Sequence, residues 1–241
     1  MGDELNILCN KGIRNLTLLT SLALYFPSTY ISDEGLQVLA SKGIRNLPGL
    51  TSLALDFGCC QGITDQGLKK LCSEGIKYCT SLTSLALNFS ACWFISDKGL
   101  SSLCCEGLRY LPSLQSLTLY IINSEITDEG MRELGSQGLR YLGSLKNLII
   151  NFTSLNISDQ GLKKMFCEGL KYLTSLRSLT LSFTFSRITD DLLNSLCYEG
   201  IRNLTLLRRL TLEFIFSKIT NAAFKNFSKV LRYFGFHQIE E

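Results

Sequence analysis

The sequence predicts an α/β repeat protein in which every repeat contributes one strand and one helix. Leucine accounts for 46 of the 241 residues. Two motifs recur at the same interval, a core motif of two apolar residues separated by one other residue and an Ile-Ser/Thr-Asp tripeptide. Self-similarity at a fixed period is typical of repeat architectures. The core motif recurs at intervals of 31 or 32 residues, in copies that begin at Leu22, Leu53, Leu85, Leu117, Leu148, Leu179 and Leu210.

The strand of each repeat is predicted from alternation. In Leu50–Phe57 (LTSLALDF) the leucines Leu53 and Leu55 are separated by a small residue, and the polar Asp56 follows. A period of two indicates a short strand with one buried face, so the positions between the leucines are expected on the exposed face. The last exposed strand position of the seven copies is occupied by Tyr25, Asp56, Asn88, Tyr120, Asn151, Ser182 and Glu213.

The helix of each repeat is predicted from the change to helical spacing after the Ile-Ser/Thr-Asp motif. In the first copy Leu36, Leu39 and Ile44 lie on one face of a helix, whereas Glu34 and Arg45 lie off it. The Ser/Thr or Asp oxygen is expected to accept an unpaired amide of the first turn, worth about 1 kcal/mol. Glycine recurs at two positions of these helices although each costs about 0.5–1 kcal/mol against alanine, which favours close packing that leaves no room for a side chain.

These motifs carry a resemblance to a known family. Leu50–Phe57, followed by Ile63–Leu68 (ITDQGL), resembles the leucine-rich repeat family. The long helix and the period are similar to the ribonuclease-inhibitor type, and Ile-Thr-Asp-x-Gly-Leu is similar to the cysteine-containing repeats of F-box proteins. The resemblance implies an α/β solenoid in the form of an open horseshoe arc, with a parallel sheet on the concave face and helices on the convex face.

The sequence departs from the family pattern just after the strand, where an asparagine ladder is common. Phenylalanine stands near this position in six of the seven copies, so we expect a phenylalanine spine along the solenoid. Its members are Phe26, Phe57, Phe89, Phe152, Phe183 and Phe214.

The whole chain, residues 1–241, is expected to form a single leucine-rich repeat domain. It divides into a helix-like half repeat at 1–18, seven repeats at 19–234 and a short tail at 235–241. The last repeat loses the glycine pattern and runs into Phe224, Phe227, Leu231 and Phe234, which favours a C-terminal cap. The half repeat at the start leaves open that the chain is an excerpt of a longer protein.

Composition and charge narrow the classes of function. A net charge of +3 with 19% charged residues is too small to predict nucleic-acid binding from electrostatics alone. The one histidine, His237, lies in the tail, so we expect no Cys-His or Ser-His catalytic pair and no zinc site. The glycines occur singly at repeat spacing and form no phosphate loop. We therefore expect a non-enzymatic protein with no metal, no cofactor and no small-molecule substrate.

The sequence also predicts the compartment. The N-terminus carries acidic residues where a signal peptide needs basic ones, and no apolar run reaches the roughly 18–20 residues that span a bilayer. We expect a cytoplasmic or nuclear protein that is not secreted and binds no membrane, with its ten cysteines as reduced thiols. A redox or metal role for Cys59, Cys60 and Cys92, which follow adjacent strands, stays open.

The candidate binding site is the concave face, and the expected partner is another protein. The buried strand positions stay constant while the facing positions vary, as a modular binding surface requires, and aromatic and arginine side chains tend to dominate interfaces. Trp93 lies apart, in a loop between strand and helix, where it either anchors a partner or fills the gap made by an inserted residue. For any single residue the alternative is neutral drift at a solvated position. The candidates are Tyr25, Asp56, Asn88, Trp93, Tyr120, Lys146, Asn151, Arg177, Arg208, Arg209 and Glu213.

Other functions stay open beside this interaction scaffold. The F-box similarity suggests the substrate-recognition module of an SCF-type ubiquitin ligase. Some leucine-rich repeat arrays regulate an enzyme such as a GTPase from the edge of the solenoid, and Arg187 and Lys218 are the candidates for that role. A recently expanded array with no specialised target is the remaining alternative.

Overall fold

Seven parallel strands form one open sheet that follows the order of the chain. The structure is a computed structural model that describes residues 2–122, 125–154, 156–184, 188–215 and 218–233. In the sheet order β1-β2-β3-β4-β5-β6-β7 each strand is bonded to the strands of the repeats before and after it. The strands are β1 Ser21–Tyr25, β2 Ser52–Asp56, β3 Ser84–Asn88, β4 Ser116–Ile122, β5 Asn147–Thr153, β6 Ser178–Thr184 and β7 Arg209–Glu213.

The sheet keeps every repeat in the same register, so that like residues face like residues. Leu53 pairs with Leu22 on one side and with Leu85 on the other. The leucines are buried and the residues between them are at least partly exposed, as the alternation predicts. Because both neighbours present leucine at the same height, the buried faces of successive strands join into one continuous core.

A helix follows each strand, and one further helix, α1, precedes the first strand. The helices begin at the Asp of the Ile-Ser/Thr-Asp motif, or at the Asn that replaces it in the last copy, as expected. The α-helices are α1 Gly2–Ile7, α2 Asp33–Val38, α3 Asp65–Glu74, α4 Asp97–Ser102, α5 Asp128–Glu133, α6 Asp159–Glu168, α7 Asp190–Ser195 and α8 Asn221–Tyr233.

Most of these helices do not continue as regular α-helix, which differs from the single helix predicted for each repeat. After α4, for example, the chain passes through a π turn at Leu103–Gly107 and a 3-10 turn at Leu108–Tyr110. Gly107, at the junction, has φ −118° and ψ −83°, outside the α-helical region. The second recurring glycine therefore marks the point where a wide turn changes to a tight one and leads the chain back towards the next strand.

Of the two oxygens expected to cap the helix, that of the Ser or Thr caps α3, α4, α5 and α6, whereas the Asp carboxylate bonds to the following repeat. The oxygens of Asp33 accept the Thr64 amide at 2.8 Å and the Thr64 hydroxyl at 2.7 Å. Thr64 in turn caps α3, because its hydroxyl oxygen accepts the Gln66 amide at 3.1 Å. We call this pairing the aspartate clamp. It recurs between Asp65 and Ser96, Asp97 and Thr127, Asp128 and Ser158, Asp159 and Thr189, and Asp190 and Thr220.

Close packing explains both glycine positions. A Cβ on Gly130 would lie 2.2 Å from Asp97 Oδ1, so the first glycine leaves room for the aspartate clamp of the preceding repeat. A Cβ on Gly169 would lie 2.6 Å from the Gly135 Cα of the preceding helix. The prediction that these helices pack too closely for a side chain is confirmed.

The phenylalanine spine is confirmed, but as two stacks. The rings of Phe57 and Phe89 lie 5.7 Å apart between centroids, and those of Phe183 and Phe214 lie 6.3 Å apart. In the fourth repeat Ile121 pairs with Phe152 and takes the place of a ring. Its side chain is buried as fully as its neighbours, so the core is continuous although the aromatic stacking is interrupted.

Helices cover both ends of the described chain. In α1 the side chain of Leu5 is buried, and in α8 Phe227 and Leu231 are buried, so both elements pack on the core. Phe234 and the tail 235–241, with His237, lie outside the described residues. Among the residues that are described, no helix is both long and apolar enough to cross a membrane.

Candidate partner-binding surfaces

The predicted column of variable residues is present on the side of the sheet turned away from the core, which we call the sheet face. Tyr25 pairs with Asp56, Asp56 with Asn88, and Asn88 with Tyr120, and the register continues to Glu213. Tyr25 and Glu213 are exposed and the residues between them are half-buried, with one exception. Ser182, expected on the exposed face, is only 4% exposed.

A shallow depression of about 150 Å³ lies on the sheet face between two tyrosines. Its floor is formed by the small side chains of Ala54 and Ala86, and Tyr25 and Tyr120 stand on the strands to either side. The depression exists because the first three repeats carry alanine at this position, whereas the next two carry the larger Thr118 and Ile149. It is lined by Tyr25, Ala54, Leu55, Asp56, Ala86, Leu87, Asn88 and Tyr120.

The two polar side chains of the depression are held by turns at the strand ends. Asp56 Oδ1 accepts the Gly58 amide at 2.9 Å, and Asn88 Oδ1 accepts the Ser90 amide at the same distance. These turns, typical of Asp and Asn, orient both side chains before any partner binds. The other side-chain polar atom of each residue can still bond to a ligand.

Three cations lie in one row at the start of the last strands. The amide of Arg177 donates to the Lys146 carbonyl at 2.7 Å, and that of Arg208 donates to the Arg177 carbonyl at 2.8 Å. Arg177, Arg208 and the adjacent Arg209 are exposed, whereas the Lys146 ammonium donates to Gln115 Oε1 at 2.8 Å. The structure therefore places the predicted basic residues side by side, at the opposite end of the sheet from Tyr25.

Trp93 does not belong to the sheet face. It lies in the turn between β3 and α4, where its side chain is 49% exposed, and the neighbouring Phe94 is 62% exposed. Phe94 borders a cavity of about 420 Å³ between the first turns of α3 and α4, together with Lys69 and Lys98. An exposure of 49% does not fit a ring that only fills a gap, whereas the role of Trp93 as an anchor for a partner stays a prediction. The exposure of Phe94 was not foreseen.

A second row of exposed residues was missed by the sequence reasoning. It lies where the chain turns from each helix towards the next strand, in the tripeptides that begin at Ile76, Leu108, Leu139 and Leu170. Each tripeptide has a basic residue followed by tyrosine, and the cation of one repeat lies over the ring of the next. The distances to the ring centroid are 4.3 Å for Arg45 over Tyr78, 4.9 Å for Lys77 over Tyr110, 4.9 Å for Arg109 over Tyr141 and 5.0 Å for Arg140 over Tyr172.

The cysteines next to the strands make structural hydrogen bonds. The Cys60 thiol donates to the Phe26 carbonyl at 3.1 Å, and the Cys92 thiol donates to the Phe57 carbonyl at 3.2 Å. Burial raises the pKa of Cys92 to about 12, so this thiol stays protonated at neutral pH. Cys59 is exposed, and all ten thiols are free. Among the described residues, no group of three or more His, Cys, Asp or Glu side chains could hold a metal ion.

The helix cysteines pack against glycine, as expected for small residues. The Cys72 and Cys104 side chains are fully buried. A Cβ on Gly107 would lie 3.3 Å from the Cys72 sulfur, and a Cβ on Gly138 would lie 2.9 Å from the Cys104 sulfur. Cys197 is also buried. These thiols fill the space between adjacent helices.

The candidates for a role at the solenoid edge are only partly described. Arg187 lies outside the described residues. Lys218 is exposed, and its backbone amide donates to the Ile188 carbonyl at 2.8 Å. Its side chain lies on the surface.

Comparison with known proteins agrees with this geometry. The family model described as Leucine Rich repeat matches residues 51–72 and 78–104. These segments cover β2, the first eight residues of α3, β3 and all of α4. No curated protein matches the sequence. The matched segments, the seven-fold repetition of strand and helix and the open parallel sheet fit an α/β leucine-rich repeat solenoid.

Proposed function

We propose that the chain is a non-catalytic interaction scaffold that binds another protein on its sheet face, which is the concave face in a leucine-rich repeat solenoid. Leucine-rich repeats generally mediate protein–protein interactions. One observation carries the proposal: the buried strand positions are leucine in nearly every repeat, whereas the facing column changes from Tyr25 to Glu213. Constant buried positions preserve the fold, and the varied column supplies a surface suited to one partner.

The proposed face has two zones of different chemistry. The depression between Tyr25 and Tyr120 has an apolar floor, which suits an apolar or aromatic side chain of the partner, because aromatic anchors in small pockets contribute most to many interfaces. The row of Lys146, Arg177 and Arg208 suits carboxylates, since guanidinium groups bind them through two parallel hydrogen bonds. A partner that spans both zones would carry an apolar anchor and an acidic patch on one surface.

Rigidity supports binding at such a surface. Parallel pairing and the aspartate clamps hold each repeat against the next, so the positions of the facing side chains are set before binding. A preorganised surface loses less conformational entropy on association than a flexible one. The proposal therefore relies on shape and charge, and it includes no chemical step.

The proposal places the protein in the cytoplasm or nucleus. All ten cysteines are free, and thiols persist in these reducing compartments. The exposed thiol of Cys59 in particular would be open to oxidation elsewhere.

The test is affinity purification from cell extract with three matched proteins. The first is the wild type, the second carries Lys146→Glu, Arg177→Glu and Arg208→Glu, and the third carries Lys98→Glu, Lys225→Glu and Lys229→Glu. The last two have the same net charge, but only one changes the sheet face, since Lys98, Lys225 and Lys229 are exposed on helices.

The proposal expects a protein that the wild type and the helix variant retain and the sheet-face variant loses. A Tyr25→Ala/Tyr120→Ala variant should weaken the same complex, because it removes the walls of the depression. Equal thermal unfolding midpoints would show that the variants are folded. The proposal is refuted if the charge-reversed variant and the Tyr25→Ala/Tyr120→Ala variant both retain every protein that the wild type binds, or if no captured protein distinguishes them from the helix variant.

A further inference from the structure

The row of cations and rings along the helix-to-strand turns, which we call the basic–tyrosine ladder, forms a second continuous surface. Its rings are Tyr78, Tyr110, Tyr141 and Tyr172, which are 39–43% exposed. Its cations are Arg45, Lys77, Arg109, Arg140 and Lys171, the last also lying over the Tyr172 ring at 5.1 Å. We infer that this ladder binds an extended acidic segment of a protein, rich in Asp or Glu, which lies across the successive repeats.

The positive charge of the ladder is not neutralised by the protein itself. Glu74, Glu106 and Glu168 are the acidic residues closest to it in sequence, three positions before a ladder cation. Each of them is paired with a helix lysine instead. The distances between nitrogen and oxygen are 2.9 Å for Glu74 and Lys70, 3.9 Å for Glu106 and Lys69, and 3.7 Å for Glu168 and Lys164. The described part of the chain shows no ion pair for any of the five ladder cations.

The aromatic rings fix the cations in position without satisfying their hydrogen-bond donors. A cation over a ring is attracted by the ring quadrupole, and the N–H groups of Arg109 and Arg140 stay accessible to acceptors of a ligand, since a guanidinium has five donors. Both side chains are exposed. Carboxylates supply the acceptors and the opposite charge, so an acidic chain satisfies both requirements at once.

The dimensions of the ladder suit a peptide. Packed helices lie about 8–10 Å apart, so the four steps from Arg45 to Lys171 extend over roughly 32–40 Å. An extended peptide of about 10–12 residues has that length. The ladder is one cation wide, and a single extended peptide can lie along a row of this width.

The test measures the binding of a fluorescein-labelled oligoglutamate of about 12 residues by fluorescence anisotropy. The ladder variant carries Lys77→Gln, Arg109→Gln and Arg140→Gln. The control variant carries Lys218→Gln, Lys225→Gln and Lys229→Gln, which removes the same charge from exposed lysines of the last repeat. A third variant, Arg109→Lys/Arg140→Lys, keeps the ladder charge and guards against a loss of binding caused by misfolding.

The dissociation constant of the ladder variant should rise about tenfold, equivalent to about 1.4 kcal/mol, whereas the control and charge-keeping variants should stay within about threefold of the wild type. Equal weakening in the ladder and control variants would overturn the inference, as would the lack of oligoglutamate binding by the wild type. Tighter binding of an oligothymidylate of the same charge would identify the ladder as a nucleic-acid surface instead. The ladder substitutions leave the sheet face unchanged, because the two surfaces share no residue, so a loss of binding in the ladder variant is separate from the sheet-face proposal.

Discussion

Replacing Gly130 by alanine should destabilise the protein, although the same change usually stabilises a helix. Gly130 is the third residue of α5, and glycine is less favourable than alanine in a helix by about 0.5–1 kcal/mol. Here, however, a Cβ would lie 2.2 Å from Asp97 Oδ1 and 3.0 Å from Ile126 Cγ2. The oxygen would have to move by about 1 Å to reach an ordinary contact distance.

The magnitude follows from the hydrogen bond that this movement breaks. Asp97 Oδ1 accepts the Thr127 amide at 2.9 Å, and Oδ2 accepts the Thr127 hydroxyl at 2.6 Å. A hydrogen bond to a charged group contributes about 1.5–3 kcal/mol. After subtraction of the gain in helix propensity, the net loss for Gly130→Ala is about 0.5–2.5 kcal/mol, or roughly 1–10 °C in melting temperature for a protein of this size.

The first repeat provides a matched control. Gly35 has the same place in α2, and a Cβ there would lie 3.1 Å from Ile31 Cγ2, much as at Gly130, but its nearest described neighbours are the apolar side chains of Ile31 and Leu5 and include no aspartate oxygen. Gly35→Ala should therefore be neutral or stabilise by up to about 1 kcal/mol. Urea unfolding followed by circular dichroism would measure both variants.

A double-mutant cycle separates the clamp from other causes. In an Asp97→Ala background the obstructing carboxylate is gone, so Gly130→Ala should cost nothing or stabilise. If Gly130→Ala is as favourable as Gly35→Ala, or stays unfavourable without Asp97, the explanation of these glycines by the aspartate clamp is wrong. The sixth repeat carries Leu192 at this position, and there the Leu192 amide bonds to the Thr189 carbonyl at 3.1 Å in a tighter first turn. A side chain is thus accommodated only with a local change of backbone.

Two further outcomes are expected from the core. Phe57→Ala should lower the free energy of unfolding by about 3–5 kcal/mol, because its buried ring is stacked between Phe26 and Phe89. Phe26 lies at the partly buried end of the stack, so Phe26→Ala should lower the free energy of unfolding clearly less. Equal losses in urea unfolding would contradict the stacked spine. Raising the pH from about 7.5 to about 10 under reducing conditions should also destabilise the fold, because burial raises the pKa of Cys92 and Cys197 to about 12. Between the ordinary thiol pKa of about 8.5 and the raised folded-state pKa, the thiol ionises in the unfolded chain but not in the folded one. The free energy of unfolding is therefore unaffected below about pH 8.5 and falls as the pH rises further, by about 1–2 kcal/mol per thiol at pH 10. Cys197→Ala should reduce this pH dependence, and an unfolding free energy that is flat over this range would count against the burial of these thiols.

The candidate site was predictable in its column but not in its detail. The alternation in each LxxLxL segment was enough to place Tyr25, Asp56 and Asn88 in one row, because strand geometry alone fixes which side chains face outwards. The depression depends on which repeats are neighbours, since Ala54 and Ala86 form its floor only when their strands pair. The burial of Ser182 likewise depends on its surroundings in the folded chain.

The sequence by itself determined the repeat, the positions of the strands, the starts of the helices and the buried leucines. Each of these follows from a local period, and each repeat can bury its apolar face only against the next one. The tertiary structure decided which groups meet between repeats. Asp97 and Thr127 are 30 residues apart, and Arg109 and Tyr141 belong to different repeats. The aspartate clamp and the basic–tyrosine ladder arise only when the sheet register brings these residues to the same height, because the length and the turns of each repeat set that register.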